Sequence, residues 1–139
     1  MAVGSLETAD AVRGRMSRQR SRDTGTEIAL RKALHALGLR YRVHRRPVRA
    51  VRREADVVFG PVKVAVFVDG CFWHGCPEHL TWPKNNADFW RSKIETNRSR
   101  DRDTDRKLAD DGWAVVRVWE HEDPLSAAWR VRDLVAERR

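Results

Sequence analysis

Several features of secreted, membrane-bound and repetitive proteins are scarce in this sequence. Only two cysteines occur among 139 residues, and no segment is repetitive or low in complexity. The longest apolar stretch, Val64 to Val68, is far shorter than the roughly 20 residues that a membrane-spanning helix needs. Residues 1–15 lack the apolar core of a signal peptide. We therefore expect no membrane segment and a cytoplasmic location.

The length and the apolar content fit one small domain. A chain of 139 residues is about one domain long, and 41% hydrophobic residues supply a modest core. We interpret residues 1–14 as a flexible N-terminal arm and residues 15–139 as a single domain.

The charge balance is strongly basic. The 28 Lys and Arg residues, most of them arginine, exceed the 20 Asp and Glu residues and give a net charge of +8. Arginine binds phosphate in a planar, bidentate manner, and a basic domain often binds nucleic acid. A solvated basic surface on a protein from a GC-rich genome would give the same balance, so charge alone leaves both interpretations open.

Apolar periodicity and turn residues predict the element order α-β-β-β-α-β-α, which is typical of an α/β nuclease core with a mixed central sheet flanked by helices. The predicted elements are a helix from an N-cap at Thr26 to about Leu37, strands at Tyr41–His44, Ala55–Phe59 and Val62–Val68, a helix at Ala87–Asp110, a strand at Trp113–Trp119, and a helix from Pro124.

Two aspartates are predicted to lie side by side at one edge of the sheet. Asp56 opens a strand and Asp69 closes the next one, and Gly60-Pro61 between these strands is typical of a hairpin turn. Glu27, at the edge of the apolar face of the first helix, could reach the same place. Carboxylate oxygens are ligands that Mg²⁺ accepts. The alternative is that strand-end aspartates only form turns.

Other polar residues are predicted to join this acidic site. His74 follows Asp69 by five residues, and a histidine near a bound Mg²⁺ can take a proton from an attacking water. Asn97 and Asp101 fall on the core-facing stripe of the long helix. Because buried polar groups need partners, these two side chains are expected to orient the histidine or a metal-bound water.

Cysteines and histidines form a second cluster. Cys71, Cys76 and His79 are separated by four and two residues, and His121 follows a later strand. Two cysteines and two histidines are a common tetrahedral zinc set, although the spacing is not that of a zinc finger. The alternative is a pair of buried free cysteines.

The sequence is rich in tryptophan, with six among 139 residues, and two sets of aromatic residues have different predicted roles. Trp113, Trp119 and Trp129 lie on strand or helix patterns and are predicted to be in the core. Phe72 and Trp73 lie in the irregular segment beside the acidic site, where exposed aromatic rings can stack on bases or wedge between them. Packing of these two rings inside the protein is the alternative.

Motifs along most of the chain, from about residue 13 to residue 122, resemble those of the very short patch repair (Vsr) DNA mismatch endonucleases. The matching segments are MSRQRSRDTGTE, READVVF, FVDGCFWHGCPEH, PKNNADFW, KIETNRSRD and DGWAVVRVWE. Because these segments are spaced and in order, the resemblance is specific. It implies a restriction-endonuclease-like fold, Mg²⁺-dependent nicking and a structural zinc.

The resemblance also implies roles for individual residues. Asp56 corresponds to the metal-binding aspartate, and the main-chain carbonyl of Val68 to a second metal ligand. His74 resembles the catalytic histidine, with Asp101 as its orienting partner. The residues implied near the metal waters are Glu27 and Asn97. The residues implied to contact DNA are Met16, Phe72, Trp73, Trp90 and Lys93.

Two departures from the family pattern concern metal sites. Asp69 stands where the best-known family members have a histidine close to the phosphate, and we predict that it contacts Mg²⁺ directly or through water. His79 and His121 replace a differently arranged histidine and cysteine pair in the zinc site. Because Cys71 and Cys76 complete a set of four ligands, zinc is still expected.

The leading hypothesis is a nicking endonuclease for duplex DNA with a T:G mismatch, yielding a 5′-phosphate and a 3′-hydroxyl. Mismatch-repair proteins are candidate partners, and a monomer in the cytoplasm, associated with the bacterial nucleoid, is expected. The alternatives are a related restriction or defence nuclease of other specificity and a non-catalytic, zinc-stabilised DNA-binding module.

Overall fold

The computed structural model describes residues 24–70 and 86–139. Its helices are α1 (Gly25–Ala36), α2 (Ala87–Asp110) and α3 (Pro124–Arg138), and its strands are β1 (Arg42–Arg45), β2 (Ala55–Phe59), β3 (Val64–Asp69) and β4 (Ala114–Trp119). The strands form one sheet in the order β1-β2-β3-β4. The predicted element order and the mixed α/β class are therefore confirmed.

The sheet contains an antiparallel hairpin and one parallel pair. β2 and β3 pair antiparallel, with Val57 opposite Val66, and a single 3-10 turn over Gly60–Val62 connects them. The predicted hairpin is thus confirmed, although β3 begins two residues later than predicted. β3 and β4 run parallel from Val64 opposite Ala114 to Asp69 opposite Trp119. Asp69 and the end of β4 consequently share one edge of the sheet.

Helices cover both faces of the sheet. On one face, α1 packs against α3, and the apolar side chains of both helices meet alternate residues of β3, such as Val64 and Val66. On the other face, Leu108 of α2 packs with Ala65 and Phe67. β3 is apolar throughout because both of its faces are covered, as the sequence predicts.

The N-cap of helix α1 lies two residues before the predicted one. The hydroxyl of Thr24 caps the helix by accepting a hydrogen bond from the amide of Glu27 at 3.3 Å. The prediction of Thr26 as the N-cap is wrong: its hydroxyl donates instead to the carbonyl of Glu120 at 3.3 Å. Thr24 and Glu27 have the T-x-x-E spacing that is typical of a capping box. The cap and the tie to Glu120 together fix the first turn beside the end of β4.

Helices α2 and α3 begin where the sequence predicts. Gly112 follows α2 with a φ of 86°, a left-handed conformation that glycine adopts without strain. Asp123 caps α3 by accepting from the amide of Ser126 at 3.0 Å. The prediction that Trp129 lies in the core is wrong, since its side chain is 46% exposed. The inward face of α3 carries small residues instead, including Ala128, which allow close packing on α1.

Among the described residues, no helix is both long enough and apolar enough to cross a membrane.

Candidate active site

Asp56 occupies the second position of β2, at the edge of the sheet where β3 ends. Its carboxylate accepts a hydrogen bond of 2.6 Å from the amide of Val68. The register that joins Val43 to Val57 and Arg45 to Ala55 places His44 directly opposite Asp56. Residues opposite each other in an antiparallel pair have side chains on the same face of the sheet. The sheet therefore brings a carboxylate and an imidazole together.

Glu27 approaches the same point from the first turn of α1. Its side chain is buried, with only 6% exposure, and it shares a hydrogen bond with Asp56. Two carboxyl groups can share a hydrogen bond only when one of them holds a proton. At neutral pH a cation between them is the alternative to that proton, because two adjacent carboxylates repel each other.

Three side chains meet at this point and provide a donor set. One ligand atom each from Glu27, His44 and Asp56 lies within 4.8 Å of the other two. Two carboxylates and an imidazole suit a divalent cation, and the carboxylates are donors of the kind that Mg²⁺ and Mn²⁺ accept. The donor set is therefore compatible with the Mg²⁺ site predicted at Asp56, and it leaves the identity of the ion open.

His44 was not among the residues that sequence analysis selected. Its φ of 52° is in the left-handed region, which is uncommon for residues other than glycine, although histidine occurs there more often than most. Such conformations are concentrated at functional sites. What identifies His44 is its position opposite Asp56 in the neighbouring strand. That position follows only from the register between β1 and β2.

The surrounding cavity has a volume of about 160 Å³ and is strongly acidic in a chain whose net charge is +8. Of the residues that the structure describes, six carboxylates and two guanidinium groups line it: Glu27, Glu54, Asp56, Asp69, Asp101, Glu120, Arg53 and Arg117. This excess of carboxylates favours a bound cation.

The pKa of Asp56 is raised to about 6 from an ordinary value of 3.8. Burial is the largest cause, because it removes water from the ionised form, and the negative charge of Asp69 adds to it. The hydrogen bonds that Asp56 accepts from the amide of Val68 and from Glu27 lower its pKa without cancelling the increase. A carboxyl group that is costly to ionise alone is suited to a bound cation.

Asp69 is buried and forms an ion pair with Arg117 of β4. The Nη1 atom of Arg117 lies 3.1 Å from Asp69 and 3.5 Å from Asp101, while its Nη2 atom lies 2.6 Å from Asp105. The guanidinium also lies 4.2 Å from the ring centre of Phe67, within the range of a cation–π contact. Arg117 thus supplies a cation beside Asp69, and contact between Asp69 and a metal stays a prediction.

The predicted inward direction of polar residues on α2 is confirmed. Asn97 is 7% exposed, and Asp101 lines the acidic cavity. Thr104, which sequence analysis did not select, is buried one turn further along and lines the same cavity. The roles of Asn97 and Asp101 toward His74 stay predictions, because His74 lies outside the described residues.

The first turns of α2 present aromatic and basic side chains. Phe89 is 47% exposed and packs edge-on against Trp90, with ring centres 5.1 Å apart. The Nζ atom of Lys93 lies 5.9 Å from the ring centre of Phe89. Trp90 and Lys93 were predicted DNA contacts, whereas Phe89 was missed although it adjoins Trp90 in the sequence.

The other predicted site residues are Val68, His121 and a set that lies outside the described residues. Val68 is partly buried beside the larger core, and its amide contacts Asp56. His121 is exposed just after β4. The remaining predictions fall on residues outside the described part of the chain: Met16, Cys71, Phe72, Trp73, His74, Cys76 and His79.

An acidic cavity with a divalent-cation donor set, on a mixed sheet in a basic chain, is typical of a metal-dependent nuclease. Comparison with known proteins gives the same class. The family model of the DNA mismatch endonuclease Vsr matches residues 8–79.

Individual relatives agree with this match. The type II nicking enzyme V.NaeI of Lentzea aerocolonigenes is 46% identical over 119 residues, which cover 83% of this chain and 72% of that protein. The type II nicking enzyme V.XorIIP of Xanthomonas oryzae pv. oryzae is 41% identical over 108 residues, covering 77% of both proteins. The DNA mismatch endonuclease Vsr of Escherichia coli K12 is 35% identical over 101 residues, covering 72% of this chain and 63% of that protein.

This chain therefore belongs to the Vsr family of DNA mismatch endonucleases. It is an enzyme that acts on DNA, an endonuclease and thus a hydrolase of phosphodiester bonds. The family assignment confirms the predicted resemblance and favours an enzyme over a non-catalytic DNA-binding module.

Proposed function

We propose that this protein is a Mg²⁺-dependent endonuclease that nicks one strand of duplex DNA beside a T:G mismatch, leaving a 5′-phosphate and a 3′-hydroxyl. The observation that carries the proposal is the convergence of Glu27, His44 and Asp56 beside an acidic cavity that Glu27 and Asp56 line, in a basic protein. Family membership supports nicking of DNA, and the name of the E. coli relative, a DNA mismatch endonuclease, supports a mismatched duplex as the substrate.

In this proposal the acidic residues hold the ion and the basic chain holds the DNA. Asp56 and the Val68 carbonyl bind Mg²⁺, while Glu27 and His44 bind it directly or through its waters. A bound Mg²⁺ polarises the phosphodiester and neutralises its developing charge. His74 accepts the proton of the attacking water, and Asp101 orients His74, with Asn97 nearby. The supporting observation is that Asp101 faces the cavity, where Arg117 holds it.

Two further assignments complete the proposal. Cys71, Cys76, His79 and His121 bind one structural Zn²⁺. Phe72, Trp73 and Trp90 enter the duplex at the mismatch, while Met16 and Lys93 contact the DNA beside it. The exposed Phe89 and its contact with Trp90 support an aromatic DNA-binding surface at the start of α2.

The proposal is tested by the conservative variant Asp56→Asn. Asparagine keeps the size of the side chain and removes the charge, so nicking should fall at least about 100-fold, as expected when one main contributor to charge stabilisation is lost. Calorimetric titration with Mg²⁺ and with Mn²⁺ should show weakened binding. Duplex DNA should still bind, because its affinity depends mainly on contacts between basic residues and phosphate.

A matched control is Asp110→Asn, which removes the same charge at the exposed end of α2. It should leave nicking and metal binding unchanged. An Asp56→Asn enzyme with full activity, or wild-type nicking that survives removal of divalent cations, would contradict the proposal.

A related nicking enzyme of other specificity is the second candidate. The observation that favours it is that the two relatives above with more than 40% identity are named type II nicking enzymes. Duplexes that carry each mismatch in varied sequence contexts, with the nicks mapped, separate the candidates. A strong preference for T:G supports the first one, and equal cutting of perfectly paired sites supports the second.

The proposal also covers the setting of the reaction. The protein acts as a monomer in the bacterial cytoplasm, associated with the nucleoid, and mismatch-repair proteins are candidate partners. Analytical sedimentation with and without DNA measures the oligomeric state. A dimer bound at a single mismatch would contradict the proposed monomer.

A further inference from the structure

A second, basic concavity lies along β1, the strand at one edge of the sheet. This groove has a volume of about 760 Å³ and shares no lining residue with the acidic cavity. Four arginines line it, namely Arg40, Arg42, Arg45 and Arg46, together with Tyr41 and Trp113. We refer to it as the arginine groove.

The sequence around the arginine groove is exclusively basic. No acidic residue occurs between Glu27 and Glu54, and residues 40–53 contain seven arginines. Much of the positive charge that suggests binding to nucleic acid is therefore concentrated in this segment. The residues of the active site do not explain this concentration.

Among the described residues, the groove arginines lack the carboxylate partners that some other arginines have. Arg106 pairs with Asp103 at 2.6 Å, and Arg130 pairs with Glu122 at 2.8 Å. Within residues 24–70 and 86–139, none of the four groove arginines takes part in an ion pair, and all four are exposed. Such exposed guanidinium groups are available to phosphate oxygens, which they bind in a bidentate manner.

The walls of the groove are fixed by contacts within the protein. The hydroxyl of Tyr41 donates to the carbonyl of Arg31 at 2.9 Å, and its ring packs edge-on against Phe59 at 6.0 Å between centres. Because these contacts fix the ring of Tyr41, this residue forms a wall of the groove. The arginines are the groups that can bind a ligand there.

The position of the groove relates it to the active site. Arg45 directly follows His44, which lies opposite Asp56, and Arg42 lies opposite Val58 further along β2. At about 3.3 Å per strand residue, Arg42 lies roughly 7 Å from His44 along β1, and Arg45 is next to His44 on its other side. Building on the function proposed above, we propose that the arginine groove binds the sugar–phosphate backbone of the duplex on one side of the nick.

Paired variants test this binding site. Arg42→Gln/Arg46→Gln removes two charges from the groove, and Arg132→Gln/Arg139→Gln removes two from exposed arginines of the C-terminal region. The affinity for a labelled duplex is measured by fluorescence anisotropy over roughly 50–200 mM salt. The groove variant should bind about tenfold more weakly, with a slope of log K against log salt that is shallower by about 1.8, whereas the control should change less than about twofold.

A truncation series locates the contact. Duplexes are shortened stepwise on each side of the nick and bound to the wild-type protein and to the groove variant. The wild-type protein should lose affinity when one particular side is shortened, and the groove variant should be insensitive to that same shortening.

The opposing results are distinct. If the groove variant binds DNA as tightly as the control variant, the proposal is overturned, and aggregation of that variant would assign the arginines to protection of the edge strand instead. The proposal is also overturned if the groove variant binds duplex RNA more weakly but binds duplex DNA with unchanged affinity. A wild-type protein that binds through the groove but nicks no duplex would contradict the proposed function and leave the groove assignment standing.

Discussion

At the scale of the residue, Asp69 and Arg117 form a matched pair beside the candidate metal ligands. A carboxylate close to Asp56 requires a compensating cation, and sequence reasoning assigned that role to Mg²⁺. The structure provides the guanidinium of Arg117, which contacts Asp69 at 3.1 Å and is only 22% exposed. A buried ion pair whose donors are all satisfied is stable, whereas either partner alone would be costly. Arg117 thereby allows an aspartate at position 69 without an excess of buried negative charge.

The raised pKa of Asp56 predicts a pH-dependent stability of the metal-free protein. The folded protein binds the proton more tightly than the unfolded chain does, so the stabilisation is complete below pH 3.8 and is lost as the pH rises through about 6. A difference of about two pKa units corresponds to at most about 3 kcal/mol. Urea unfolding of protein dialysed free of Mg²⁺ should show this loss, and Asp56→Asn should not.

Addition of Mg²⁺ provides the converse measurement. Because the ion binds the ionised carboxylate, its stabilising effect should grow as the pH rises toward 6 and beyond. Identical pH profiles for the wild type and Asp56→Asn would show that Asp56 has an ordinary pKa.

At the scale of the element, the N-cap of α1 positions a metal-site residue. Thr24 caps the helix through the amide of Glu27, and both residues line the acidic cavity. Thr24→Ala should lower the free energy of unfolding by about 1 kcal/mol, as loss of an N-cap usually does. It should also raise the Mg²⁺ concentration needed for half-maximal nicking, because Glu27 loses its anchor.

The N-cap of α3 supplies the comparison. Asp123→Ala removes a cap of similar geometry, accepting from Ser126 at 3.0 Å, in a helix that does not line the acidic cavity. A similar loss of stability is expected, measured by denaturant unfolding, with no change in Mg²⁺ dependence. Equal effects of the two variants on Mg²⁺ dependence would mean that the cap of α1 acts only on stability.

Local sequence patterns predicted the elements better than the contacts between them. The bounds of α2 and the start of α3 follow from helix periodicity, Gly112 and Pro124, which are local signals. Residues far apart in sequence were missed, since Arg117 meets Asp69 across 48 positions and His44 meets Asp56 only through the register of β1 and β2. A single sequence contains the pattern of each strand but not their register. Glu27 was found because its helix face indicated its direction.

At the scale of the whole molecule, negative and positive charges are gathered in two separate concavities, the acidic cavity and the arginine groove. Within the described part of the chain, six carboxylates line the acidic cavity, and no acidic residue lines the neighbouring arginine groove. A uniformly basic surface would attract DNA but repel a divalent cation, and a uniformly acidic one would do the reverse. The separation allows a protein of net charge +8 to bind a cation and a polyanion at adjacent places.

The proposed zinc site predicts a link between distant parts of the chain. His121 follows β4, and the other three proposed ligands, Cys71, Cys76 and His79, come after β3. Because β3 and β4 end side by side at Asp69 and Trp119, a zinc ion bound there would join both chain segments at one edge of the sheet. Structural zinc contributes directly to folding free energy.

The variant His121→Ala tests this link, and His35→Ala is its matched control because it removes an exposed histidine from the last turn of α1. Wild-type protein should contain one zinc per chain by elemental analysis. His121→Ala should lose most of it and melt more than about 5 °C lower, since each kcal/mol shifts the melting temperature of a small domain by several degrees. His35→Ala should match the wild type in both measurements. Folded wild-type protein without zinc, or an unchanged melting temperature in zinc-depleted His121→Ala, would show that the edge is stable without the metal.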